Sequence, residues 1–311
     1  MRAVLLDQYG DFEKLRIGES AKPSPGKGEV LIKTAAAGIN PLDWMIRAGY
    51  LKEMIPYSFP LIIGSDVSGV VEKIGPGVTR FKEGDAVFGM QNITKLGGYA
   101  EYVTFDENDL APKPASLTFI EAASIPMVAL TSWHALVELG QIKTGDRVLI
   151  HAGAGGIGSF TIQLAKSMGA NVVTTASDPN HSFLKELGAD EVIDYQRDNF
   201  VTSTQPVDLI LDTIGGKVLQ KSFDLVKAGG KLISLVEPPN EEEARGKGIK
   251  AYFFSVQPNG NQLSKISKYY IEGKIKPVVQ NVIPFEKAAD AHRMIESRHT
   301  RGKIVLEIAK P

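Results

Sequence analysis

Cysteine is absent from this 311-residue chain. Disulfides, thiolate nucleophiles and cysteine-ligated zinc or iron–sulfur sites are thereby excluded together. Histidine is sparse: the five fall at positions 134, 151, 181, 292 and 299, so the first 133 residues hold neither His nor Cys. A transition-metal site there would need carboxylates alone, and zinc catalysis is not expected. An excess of one charge is also missing, with 35 basic residues against 36 acidic ones. Nucleic acids and anionic membranes call for clustered Lys and Arg, so neither partner is expected. No apolar run approaches the roughly 18 residues of a membrane span. The opening Ala3-Val-Leu-Leu6 turns polar too soon for the core of a signal peptide. A cytoplasmic location is the default expectation.

What is present has the length of about two domains. Residues 1–124 carry short β-branched runs (Val30–Thr34, Val67–Ile74, Ala86–Phe88, Tyr99–Thr104) between turn signals at Pro25-Gly26, Gly75-Pro76-Gly77 and Glu83-Gly84-Asp85. This spacing predicts an all-β or partly open barrel. From Asp146 the texture changes. Strands are expected at Arg147–Ala152, Asn171–Ala176, Glu191–Asp194, Val207–Asp212 and Lys231–Val236, with helices from Ile157, across Ser182–Leu187 and across Val218–Val226. That alternation predicts a doubly wound α/β domain with a parallel sheet over 125–274. The tail, 275–311, regains strands around a helix near Glu286–Glu296, so it is expected to complete the first domain. The charged stretch Asn240–Lys250 reads as a solvated loop.

Gly153-Ala154-Gly155-Gly156-Ile157-Gly158 fits G-x-G-x-x-G and stands between a strand and a helix. The first Gly permits the tight turn, the second lets backbone approach a pyrophosphate, and the third lets helix and strand pack closely. Helix-terminal N–H groups would hold the anion. About twenty residues on, an acidic residue would select NAD; here the stretch is Thr174-Thr-Ala-Ser177-Asp178. Ser177 leaves room for a 2′-phosphate and favours NADPH. Asp178 pointing inward would instead favour NADH.

With this loop in hand, the chain resembles the medium-chain dehydrogenase/reductases, in the zinc-free, quinone oxidoreductase-like (zeta-crystallin-like) branch. The marks are Gly38-Ile-Asn40-Pro-Leu-Asp43, Pro60-Leu-Ile-Ile-Gly64-Ser-Asp66-Val-Ser-Gly69, Gly98-Tyr-Ala-Glu-Tyr102, Ala129-Leu-Thr131-Ser-Trp-His134, Asp212-Thr-Ile-Gly-Gly216 and Arg301-Gly-Lys-Ile-Val-Leu306. The resemblance implies a GroES-like barrel domain and a Rossmann domain. In the zinc branch a Cys stands where Asn40 stands and a His-Glu pair where Ser65-Asp66 stand, so no metal site is expected.

The same resemblance implies a hydride passed from NADPH to a quinone or to the β-carbon of an α,β-unsaturated carbonyl. Asn40 is then the expected donor to the substrate oxygen; as a plain residue it could instead stabilise the turn before Pro41. Some relatives carry a tyrosine five residues past the Asn position, where this chain has Met45. Tyr50 could supply that hydroxyl or could simply pack. Thr131 is expected near the nicotinamide, Ser177 and Tyr195 near the adenosine ribose and its phosphate, and Thr213 to Gly215 beside the nicotinamide ribose. Lys303 is expected to approach the cofactor or to sit in a basic turn. His134 and His151 read as packing residues rather than acids. The alternative function is an NADPH-binding redox sensor or scaffold with little turnover. Ala251–Val256 reads as an exposed edge strand, which predicts a homodimer.

Overall fold

The computed structural model describes residues 1–309. They form two compact units, residues 1–130 with 257–309 and residues 131–256. The first unit opens with β1 (Arg2–Leu6), β2 (Leu15–Glu19), β3 (Glu29–Ile39), the helix α1 (Pro41–Arg47), β4 (Asp66–Ile74), β5 (Ala86–Met90), β6 (Tyr102–Asp106) and β7 (Leu110–Pro112). Two short helices follow, α2 (Phe119–Ala123) and α3 (Pro126–Trp133), the latter running on into a π-helical turn, His134–Leu139.

The second unit alternates as the sequence predicts: β8 (Arg147–Ile150), α4 (Gly156–Ser167), β9 (Asn171–Ala176), α5 (His181–Glu186), β10 (Glu191–Asp194), α6 (Phe200–Ser203), β11 (Val207–Asp212), α7 (Gly216–Ser222), β12 (Val226–Ser234), α8 (Glu241–Gly246) and β13 (Lys250–Phe253). Among the described residues these strands make one six-stranded sheet in the order β10-β9-β8-β11-β12-β13, parallel throughout. This is the doubly wound order, reversing direction beside β8. Both faces are covered, and β8 reads Val148, Leu149, Ile150, all fully buried.

The chain then returns to the first unit through α9 (Gly260–Ile271), β14 (Val279–Pro284), α10 (Ala288–Glu296) and β15 (Lys303–Glu307). There β14-β15-β3-β4-β5-β7 form a seven-stranded sheet, with β6 paired to β3. The last strand thus pairs with β3, Ile304 opposite Ile39. Burying Ile32, Ile39 and Ile304 fully contributes about 1.5–3 kcal/mol each. Gly38 is required where α2 crosses β3, since a Cβ there would stand 2.2 Å from the Ala123 carbonyl oxygen.

Two expectations differ from the structure. The expected domain limits lie at 124/125 and 274/275, whereas the compact units divide at 130/131 and 256/257. The gap is α9, whose Gly260 lies so close to β7 that a Cβ would stand 2.0 Å from the Leu110 carbonyl. The stretch 240–250 is not only a loop. Asn240 accepts from the Glu243 N–H at 3.0 Å, and three glutamates in the first turn complement the dipole of α8.

Candidate functional site

Two polar constellations answer the motifs, one in each unit. In the first unit, Asn40 ends the run from β3 into α1, and Pro41 fits the first helical position, where its missing N–H costs nothing. Asp43 holds this start by accepting the Asn40 backbone N–H at 2.8 Å. The Asn40 side chain, 1% exposed, lies between Asp66 at the head of β4 and Lys303 at the head of β15. Its Nδ2 donates to Asp66 Oδ2 at 3.0 Å and approaches Ser65 Oγ at 3.5 Å, while its Oδ1 accepts from Lys303 Nζ. An ammonium cannot accept, so this orientation of the amide is the one the partners dictate.

Lys303 Nζ also donates to the Ile39 carbonyl at 2.8 Å and lies 3.5 Å from Asp66 Oδ2. Asp66 Oδ1 accepts from the Met127 N–H at 3.0 Å. Burial pushes the Asp66 carboxyl up and the Lys303 ammonium down, and their attraction opposes both. With donors on both its oxygens, Asp66 is satisfied as a carboxylate paired with Lys303. Asp43 differs. Burial pushes it up to about 7, against the Asn40 N–H and the Tyr99 hydroxyl, which donates to Asp43 Oδ2 at 2.8 Å. Its Oδ1 is buried without a partner, which suits a carboxyl protonated on that oxygen. Below about pH 7, with Asp43 protonated, the cluster holds one cation and one anion out of water.

Both ends of the Asn40 amide are hydrogen-bonded inside the protein. The three Lys303 donors reach Ile39, Asn40 and Asp66, and Lys303 is 5% exposed. The structure joins these two residues to each other. Tyr50 is 68% exposed in the turn after α1, with its ring edge-on to Trp44 at 5.5 Å.

In the second unit the expected cofactor residues gather at the carboxyl edge of the parallel sheet. Gly153 to Gly158 connect β8 to α4. A Cβ on Gly153 would meet Thr174 Oγ1 at 2.1 Å, and one on Gly158 the Ala152 carbonyl oxygen at 2.4 Å. These two glycines exist for strand–helix packing. At Gly155 the nearest atom would be 3.4 Å away, so that glycine instead leaves an open cradle. No side chain caps α4 at Gly155, and Ala154, Gly155, Gly156 and Ile157 are all partly accessible. Bare helix-terminal N–H groups beside an open glycine fit a dinucleotide pyrophosphate.

Ser177 follows β9 and Tyr195 follows β10, 54% exposed. After β11, buried Asp212 accepts from the N–H groups of Ile214 and Gly215 at 3.0 and 3.1 Å and shapes that loop. Thr213 Oγ1 donates to the His151 carbonyl at 3.0 Å, and Gly215 has φ +77. Thr131 lies buried on α3. His151 is held between Thr175 and Ser222 hydroxyls, and burial lowers it to about 4. His134 pairs with Glu138 at 2.5 Å and lies against Phe254.

Sequence reading missed the roles of Asp43, Asp66 and Tyr99. The only available signal was that Ser65-Asp66 and Asn40 stand where metal ligands stand in the zinc branch; nothing local linked them to Lys303.

The comparisons agree with this architecture. Residues 26–115 match the model of the alcohol dehydrogenase GroES-like domain, and residues 187–306 that of the zinc-binding dehydrogenases. The chain is 34% identical over 353 residues to the mitochondrial NAD(P)H oxidoreductase RTN4IP1 of Danio rerio, covering 99% of this chain and 91% of that one. It is 34% identical over 320 residues to the chloroplastic NADPH-dependent alkenal/one oxidoreductase of Arabidopsis thaliana, covering 98% and 79%. The solved quinone oxidoreductase of Coxiella burnetii superposes with a TM-score of 0.93 at 36% identity, over 99% of each chain. A GroES-like barrel and a Rossmann sheet define the class, a medium-chain dehydrogenase/reductase. Within it the chain belongs to the quinone oxidoreductase-like family of oxidoreductases.

Proposed function

We propose that the protein is a metal-independent, NADPH-dependent reductase that delivers a hydride to quinones or to α,β-unsaturated carbonyls. One observation carries the metal-independent part: the group at the centre of Asn40, Ser65 and Asp66 is the Lys303 ammonium. A zinc ion does not fit that donor set. It offers a single carboxylate, already accepting from Met127, Asn40 and Lys303, and a fixed cation repels a second one. Without a Lewis acid to activate a hydroxyl, an electrophilic alkene or quinone is the substrate that asks least of the protein.

The bound nicotinamide supplies the hydride. Gly155 and the first turn of α4 would hold the pyrophosphate, Ser177 and Tyr195 the adenosine ribose, and Thr213 and Gly215 the nicotinamide ribose. As negative charge grows on the substrate carbonyl oxygen, the Tyr50 hydroxyl is our donor to it. Asn40 acts as a positioning residue: pinned by Lys303 and Asp66, it fixes the start of α1 and so the place of the turn that carries Tyr50. The final proton comes from solvent, since His151 is buried and His134 is paired. NADPH follows the name of the Arabidopsis relative and the small side chain at Ser177.

The test is purified protein treated with a chelator, mixed with NADPH and a panel of quinones and enones. The reading expects loss of the reduced-nicotinamide absorbance with at least one acceptor. No loss with any acceptor, or turnover that needs added zinc, contradicts it.

A homodimer is part of the proposal. Edge strand β13 leaves one side of the sheet unpaired and Phe253 48% exposed, an arrangement that a second copy can cover. A monomer mass by light scattering at micromolar concentration would overturn it. Among the described residues no helix is long and apolar enough to cross a membrane. A cytoplasmic location is our proposal, tested by cell fractionation.

A further inference from the structure

We infer that Arg197, in the turn after β10, recognises the 2′-phosphate of the cofactor. This rests on the NADPH reading. The sheet order β10-β9-β8 sets the path: a dinucleotide anchored at the glycine loop after β8 extends over the end of β9 toward β10. Parallel register sets Ile193 beside Thr175 and Asp194 beside Ala176. The residues after Asp194 therefore lie alongside those after Ala176.

Cations are scarce along that edge. The β9 side reads Ser177, Asp178, Pro179, Asn180, His181, and the β10 side Tyr195, Gln196, Arg197, Asp198. Arg197 alone is formally cationic. Without it, Asp178 and Asp198 would face a phosphate that carries nearly two negative charges, and the edge would repel it.

Arg197 is also built for the task. Its backbone is fixed, because the carbonyl of Asp194 accepts from the N–H groups of Arg197 and Asp198 at 3.1 and 2.8 Å. The Gln196 N–H donates to Asp194 Oδ1 at 3.0 Å, closing the same turn. Its side chain is 74% exposed and only loosely held, with Nε 3.6 Å from Asp194 Oδ2. The terminal nitrogens of the guanidinium have no hydrogen-bond partner among the described residues. A planar fork that is always charged matches a phosphate with two parallel hydrogen bonds. Tyr195, two residues earlier and exposed, offers a ring on the same turn.

The test measures dissociation constants for NADPH and NADH by nicotinamide fluorescence in the wild type, Arg197→Gln and Arg197→Lys, with 2′,5′-ADP and 5′-AMP as competitors. NADPH and 2′,5′-ADP should bind Arg197→Gln roughly tenfold or more weakly. NADH and 5′-AMP should hold within about twofold of the wild type, and Arg197→Lys should recover part of the loss. Equal weakening of both dinucleotides, or no change in either, overturns the assignment while leaving the NADPH reading intact. A wild type that itself prefers NADH overturns both.

Discussion

The barrel unit builds its polar site from side chains that neutralise one another out of water, and the parallel-sheet unit builds its own from backbone left bare. Asn40, Asp43, Asp66, Tyr99 and Lys303 arrive from separate segments and leave Asp43 Oδ1 as an orphan atom of the cluster. Gly153 to Gly158 form one continuous loop whose helix start no side chain caps. The first arrangement is buried and self-neutralising. The second is open, and under the proposed reading it takes the dinucleotide pyrophosphate.

The largest effect expected from breaking this contrast is at Lys303. Lys303→Met leaves Asp66 as a buried carboxylate without its cation and should destabilise the protein by about 3–5 kcal/mol in urea unfolding. Adding Asp66→Asn should restore part of that. If Lys303→Met is as stable as the wild type, the cluster is not held together by its charges.

Acidity gives the next effect. Asp43, pushed up to about 7 from the 3.8 of an ordinary Asp, contributes stability that is whole below about pH 4 and is lost as pH rises through 7. Integrated over that window the loss is about 4 kcal/mol. Buried His151 and His292, lowered to about 4 and about 3, act the other way: their contribution is whole above 6.5 and falls as the pH falls. Asp43→Asn should remove the fall in stability between about pH 4 and 7 and leave the opposing rise from the two histidines over the same range, read from unfolding temperatures across the pH range.

Glycine substitutions sharpen the other half. Gly158→Ala, forced against the Ala152 carbonyl, should lower stability by about 1–3 kcal/mol. Gly155→Ala meets nothing closer than 3.4 Å, so it should fold as the wild type does and bind NADPH more weakly. Equal behaviour of the two would remove the distinction between a packing glycine and a cradle glycine. The smallest effect is at Tyr50, whose phenol is exposed. Tyr50→Phe should reduce kcat about tenfold with KM for NADPH and unfolding temperature unchanged.

The contrast also explains what the sequence disclosed. The parallel sheet was readable strand by strand, and Asn171–Ala176, Glu191–Asp194 and Val207–Asp212 match the structure residue for residue. Each is a short apolar run with local turn signals, and the glycine loop is contiguous. The helix α8 was hidden because its charge suggested a loop, although Asn240 and the three glutamates after it are the residues a helix start favours. The barrel cluster was hidden for a different reason. Asp66 and Lys303 stand 237 positions apart, and their meeting depends on β3 pairing with both β4 and β15. No local pattern encodes that, so Asn40 read as a free donor and Lys303 as a cofactor contact.

The central claim is that hydride passes from the nicotinamide to an electrophilic carbon with no metal. The most direct measurement uses NADPH with deuterium at both C4 positions of the nicotinamide, an enone acceptor and chelator-treated protein, with the product examined by mass spectrometry and NMR. One deuterium is expected on the β-carbon and a solvent-derived proton on the α-carbon. Product lacking deuterium at the β-carbon, or formed only when zinc is returned, would contradict it.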